Sequence, residues 1–129
     1  MASRFLVVYD GSASTRKAVE HALQLSLEVH ASLFVLAIRS DPAASPIAVG
    51  HRLTRDLTAF AQRGVRMGTE VDASYLDAPT TDLIQQVLLA HGIDRVVIAR
   101  PEADDESPAT AMMLHALGQG CPVPVTVIG

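Results

Sequence analysis

Phe5-Leu6-Val7-Val8-Tyr9-Asp10-Gly11-Ser12 opens on an unbroken apolar run and ends on three turn-forming residues. A run this short and continuous predicts a strand buried on both faces, as in a parallel sheet, followed by a tight turn into a helix. Ser12 or Ser14 supplies the helix cap. Ala18, Ala22, Leu25 and Val29 then recur at helical spacing, with Val19 and Leu23 widening the apolar stripe.

The same alternation continues outward. Leu33 to Ile38 is a second buried run, and Asp41-Pro42 and Ser45-Pro46 break regular structure after it. Val49, Leu53, Leu57 and Phe60 predict a second helix ending at Gly64, with Arg52, Arg55, Asp56 and Arg63 on a solvated face. Between Thr69 and Leu76, Val71, Ala73 and Tyr75 alternate with polar residues, the pattern of a strand near a sheet edge. Asp77-Ala78-Pro79 predicts a capped helix start, followed by Leu83, Ile84, Val87 and Leu88 and closed by His91-Gly92. Val96 to Ala99 is the fourth strand. Ser107-Pro108 starts a further helix bearing Met113 and Leu117, and Val123 to Ile128 is the last strand. A βαβαβαβαβ order predicts one α/β domain over residues 1–129, a doubly wound five-stranded parallel sheet with helices on both faces.

Composition fits that reading and narrows the function. The 129 residues are 49% hydrophobic and 19% charged, enough apolar surface for one real core. A net charge of −4 from 14 acids and 10 bases leaves no basic stripe for nucleic acid or a membrane surface. The longest apolar stretch, Leu33 to Ile38, falls far short of the roughly 20 residues of a membrane helix. Met1 to Arg4 runs directly into the first strand without a signal-peptide pattern, so a cytoplasmic location is expected. One cysteine, Cys121, precludes an internal disulfide and behaves as a small hydrophobe. His21, His30, His51, His91 and His115 lack metal-site spacing, so no metal site is expected.

Three segments together resemble the universal stress protein family: FLVVYDGS (5–12), DAPTTDLIQQVLLAHGIDRVVIA (77–99) and Cys121-Pro122-Val123. The resemblance spans the chain in order. It implies a sheet order of 3-2-1-4-5 and a ligand crevice at the carboxyl ends of the first and fourth strands, where chain direction switches. It also implies candidate nucleotide-binding positions at Asp10, Gly11, Ser12, Ile38, Ile98, Ala99 and Thr110. In nucleotide-binding members the fourth strand is followed by Gly, two residues, Gly, nine residues, then Gly and Ser or Thr. Here Ala99, Glu102 and Ala109 stand at the glycine positions, Thr110 keeps the hydroxyl, and the longer interval is six residues, Ala103 to Pro108. Glycines let backbone approach phosphate oxygens, and a loop carrying Glu102, Asp104, Asp105 and Glu106 sets like charge against a triphosphate.

Each candidate also has a structural reading. Asp10 sits where any such domain turns from strand to helix, Ile38 and Ile98 suit the core, and Thr110 suits a helical first turn. The resemblance therefore implies a non-enzymatic regulatory module, a homodimer with protein partners and no cofactor. The other reading is a sensor of AMP or ATP at the strand-end crevice, with magnesium offsetting the acidic loop. A phosphoacceptor receiver is a poor fit, because Asp10 has no acidic neighbour and no lysine follows the last strand. Dimerisation is expected along Val123, Pro124, Val125, Thr126, Val127 and Ile128, an apolar edge in the family's order. Pro124 lacks an amide hydrogen and suits an edge.

Overall fold

A computed structural model describes residues 3–38, 46–76, 80–99, 115 and 123–128. In chain order the elements are β1 (Arg4–Tyr9), α1 (Ala13–Glu28), β2 (Ser32–Ile38), α2 (Pro46–Met67), β3 (Val71–Leu76), α3 (Thr81–Ala90), β4 (Arg95–Ala99) and β5 (Val125–Ile128). The helix expected from Ser107 lies outside the described residues, apart from the helical His115. All strand pairs are parallel and the five strands run β3-β2-β1-β4-β5, the order the resemblance implies.

Strand alternation divides the core between the two faces. Phe5, Val7 and Tyr9 of β1 pack with Ala18, Val19, Leu53, Leu57 and Phe60, so α1 and α2 cover one face. Leu6 and Val8 pack with Ile84 and Leu88, which places α3 on the other. This follows from right-handed crossovers: β1 to β2 to β3 moves one way across the sheet, and β3 to β4 returns. The stripe predicted for α1 holds at Ala18, Val19, Ala22 and Leu23, but Val29 lies past the last turn and is 51% exposed.

The three described helices end in one way. At α2, Gly68 has φ +84°, its N–H donates to Val65 O at 3.2 Å, and Thr69 N–H donates to Gly64 O at 2.8 Å. This is the Schellman pair of bonds, with the left-handed residue just beyond the helix. At α3, Gly92 (φ +61°) and Ile93 bond to Leu89 O and Leu88 O at 3.3 and 3.1 Å. At α1 the left-handed position is His30, φ +57°, and His30 and Ala31 bond to Leu27 O and Ser26 O at 3.5 and 2.9 Å.

Three predicted boundaries are corrected. α2 passes through Gly64 and stops at Gly68; a Cβ on Gly64 would overlap the Val71 side chain and approach Thr69 O to 3.0 Å. Gly64 is therefore a packing glycine that lets α2 close on β3. α3 begins at Thr81, and its cap is Thr80, whose hydroxyl accepts from Leu83 N–H at 3.2 Å. Asp77 is not that cap, and Asp77-Ala78-Pro79 lies outside the described residues. The Thr80 hydroxyl, four residues before the buried Ile84, has the right phase to cap a helix facing the core. β5 as a regular strand begins at Val125, although Pro124 O already accepts from Val96 N–H at 3.0 Å.

Candidate functional site

The carboxyl ends of β1 and β4 meet beside the turn Asp10-Gly11-Ser12. Ser12 is the α1 cap, and its hydroxyl accepts from Thr15 N–H at 3.3 Å. Asp10 is only 9% exposed. Its Oδ1 accepts from the Ser12 N–H at 2.9 Å and from the Thr15 hydroxyl at 2.9 Å, while its own N–H reaches Thr15 Oγ1 at 3.3 Å. One carboxylate oxygen thus folds back to build the turn that joins strand to helix. Gly11, between them, has φ +87°, a conformation glycine takes without a Cβ penalty.

The other candidates divide by depth. Ile38 and Ile98 are 0% and 1% exposed and belong to the core on the α3 side. Ala99 closes β4 and pairs with Ile128. Thr110 and the acidic loop Glu102–Glu106 lie outside the described residues. Of the candidates, Asp10, Gly11 and Ser12 share the turn after β1, while Ile38 and Ile98 lie in the core on the α3 side near the carboxyl ends of β2 and β4.

Two features escape the sequence pattern. Tyr9 is fully buried, and its hydroxyl donates to Asp56 Oδ2 at 2.6 Å and accepts from Arg16 Nη2 at 2.9 Å. Arg16 also pairs with Asp56 at 3.4 Å, and the Tyr9 ring meets Phe60 edge-on at 5.1 Å between centroids. Burial, then the hydrogen bond to Asp56 and its negative charge, holds the Tyr9 phenol well above its ordinary pKa; the charges of Arg16 and Arg52 only partly oppose this. Tyr9 is a neutral donor. Asp56, placed on the solvated face of α2 by periodicity alone, instead turns inward and clamps α2 and α1 to the end of β1. A tyrosine closing an otherwise aliphatic buried strand was the available signal, since its hydroxyl requires a partner.

Arg52 is the second. Its Nη2 lies 2.9 Å from the point a Cβ on Gly11 would occupy, and Leu53 Cδ2 lies 3.5 Å from it. Arg52 is exposed and, among the described residues, forms neither a hydrogen bond nor an ion pair. No sequence signal links a helical arginine to that turn.

Chemically the site is quiet. The hydroxyls of Ser12, Ser14 and Thr15 bond to one another and to Asp10, and among the described residues no histidine is their partner. Among those residues no group of three His, Cys, Asp or Glu side chains could hold a metal ion. β5 forms one edge of the sheet, with Pro124 and Val125 exposed and Val123 and Thr126 half-buried. Arg95 Nη1 donates to the Thr126 hydroxyl at 2.7 Å. None of the described helices is long and apolar enough to cross a membrane.

A sequence profile of the universal stress protein family matches residues 1–129. No curated protein matches the chain by sequence. Among solved structures, a universal stress family protein from Burkholderia pseudomallei is 21% identical, covering 98% of this chain and 95% of its own, with a TM-score of 0.73. The universal stress protein of Archaeoglobus fulgidus in complex with dAMP is 11% identical, covering 100% and 98%, with a TM-score of 0.68. A family protein from Arabidopsis thaliana with AMP bound is 17% identical, covering 98% and 90%, with a TM-score of 0.64.

Proposed function

The chain belongs to the universal stress protein family, and from that premise we propose that it is a non-catalytic stress-response module, a homodimer acting through protein partners without holding ATP. The observation that carries this reading is the engagement of Asp10. The acid that would face a ligand's ribose spends Oδ1 on the Ser12 amide and the Thr15 hydroxyl. The sequence adds to it: Ala99, Glu102 and Ala109 replace small, uncharged hydrogen-only positions with methyl groups and a carboxylate. At an effective dielectric near 20, two unit charges about 4 Å apart repel by roughly 4 kcal/mol, about a thousandfold in affinity. The exposed Pro124 and Val125 at the β5 edge support dimerisation there. Mass spectrometry of small molecules released from the purified protein, with sedimentation at tens of micromolar, tests both halves. Protein free of ATP and sedimenting as a dimer is expected; stoichiometric ATP, or a monomer, contradicts the reading.

A second reading is favoured by one observation. The Archaeoglobus and Arabidopsis structures hold dAMP and AMP, and the turn after β1 here has Gly11 with positive φ. A nucleoside monophosphate carries less charge toward the acidic loop than ATP, which would call for a magnesium ion to offset it. On this reading the crevice is a sensor of AMP or a related monophosphate.

A further inference from the structure

We propose that Arg52 is the anion-binding residue of the crevice, its guanidinium receiving the phosphate of a nucleoside monophosphate held beside Asp10. This rests on the monophosphate reading above and names the group that would select for it.

The position of Arg52 is fixed from both sides along α2. Leu53, the next residue, is fully buried and packs toward Gly11, and Asp56, one turn on, is bonded to Tyr9. With its neighbours anchored, the Arg52 backbone is held against the β1–α1 turn. Gly11 is then required for its left-handed backbone, and its missing side chain lets the flexible Arg52 guanidinium lie against the turn.

Of the charged groups here, Asp56 is matched by Arg16 at 3.4 Å, and the Asp10 carboxylate accepts from the Ser12 N–H and the Thr15 hydroxyl, while Tyr9 is neutral. Arg52 brings a second guanidinium to the same cluster with no ion pair among the described residues. A planar fork of N–H donors suits the oxygens of a phosphate, and a single cation suits one phosphate better than three. In this way Arg52 supplies, from α2, the phosphate recognition that the residues after β4 do not.

Titration calorimetry at low salt with AMP, adenosine and inorganic phosphate decides it, using the wild type, Arg52→Gln and Arg52→Lys, with thermal unfolding to show each variant folded. Wild type is expected to bind AMP roughly tenfold or more tightly than adenosine and than phosphate alone. Arg52→Gln is expected to bring AMP down to the adenosine level without moving adenosine, and Arg52→Lys to recover part of the difference. AMP affinity unchanged in Arg52→Gln, or AMP and adenosine weakened equally, overturns the role of Arg52 while leaving nucleotide binding intact. Phosphate binding as tightly as AMP, with no adenosine binding, overturns the nucleotide assignment. If neither AMP nor adenosine binds at millimolar concentration, the crevice reading falls and this inference with it.

Discussion

At the amino ends of the strands the described helices are closed by the same pair of backbone bonds, and Arg4 ties together what lies between them. Its N–H donates to Asp94 Oδ2 at 2.9 Å, its Nε to Ser32 Oγ at 3.3 Å and its Nη1 to His91 O at 3.4 Å, with Nη2 3.7 Å from Asp72. A groove of about 500 Å³ there is lined by Arg4, His30, Glu70 and His91. At the carboxyl ends, by contrast, Arg52 lies on Gly11 with no hydrogen bond or ion pair among the described residues. Unspent charge points to the carboxyl end, where open parallel sheets bind their ligands. A hollow whose arginine is already committed is structural, whereas a cation left over beside a glycine turn is available for chemistry.

The largest effect that would break this contrast is at Asp56. Asp56→Ala leaves the buried Tyr9 hydroxyl without its acceptor and Arg16 without its carboxylate, an expected loss of about 1–3 kcal/mol in denaturant unfolding. Adding Tyr9→Phe should restore part of it, because the stranded hydroxyl is then gone. A raised phenol pKa in the folded state means the native protein keeps a proton the unfolded chain releases. The Tyr9 contribution is therefore fully present below the ordinary value of 10.0 and declines as pH rises above it. Tyr9→Phe should flatten that alkaline decline. A steep decline persisting in Tyr9→Phe would assign it to another group.

Smaller changes sharpen the comparison. Thr80→Ala removes the α3 cap and should cost about 1 kcal/mol, while Asp77→Ala leaves that cap in place. Equal losses from the two variants, by thermal unfolding, would contradict the assignment to Thr80. At the amino end, His30 holds a left-handed conformation that Gly68 and Gly92 hold at the other helices without a Cβ. His30→Gly is expected to stabilise the protein by about 0.5–1 kcal/mol and leave ligand binding at the carboxyl end untouched. Destabilisation would show that the imidazole makes a contribution larger than its backbone cost.

How much of this could be read from sequence depends on the range of the interaction. The strands and a cap at Ser12 or Ser14 are written locally, in apolar run lengths and in hydroxyls preceding a helical stripe, whereas the order of the strands in the sheet followed from the family resemblance. Gly92 was legible as a helix end because no second glycine competed with it. Gly64 and Gly68 sit one turn apart in the same helix, and only the approach of Val71 from β3 separates a packing glycine from a terminating one. The candidate site was legible at Asp10, Gly11 and Ser12, which are neighbours in the chain. Asp56 meets Tyr9 across 47 residues, and Arg52 reaches Gly11 from the same helix. Charged residues on a helical face look alike until the sheet is in place, so the periodicity of α2 placed both on the solvated side, which holds for the exposed Arg52 and not for Asp56, which turns inward to Tyr9.

A family member with Ala99, Glu102 and Ala109 at the glycine positions should not hold ATP, and isothermal titration of the purified wild-type protein with ATP and magnesium reads this out. No measurable heat, or a dissociation constant far weaker than about 100 micromolar, is the expected result; a dissociation constant of a few micromolar, or ATP found in the crevice beside Asp10 and Thr110, would contradict it.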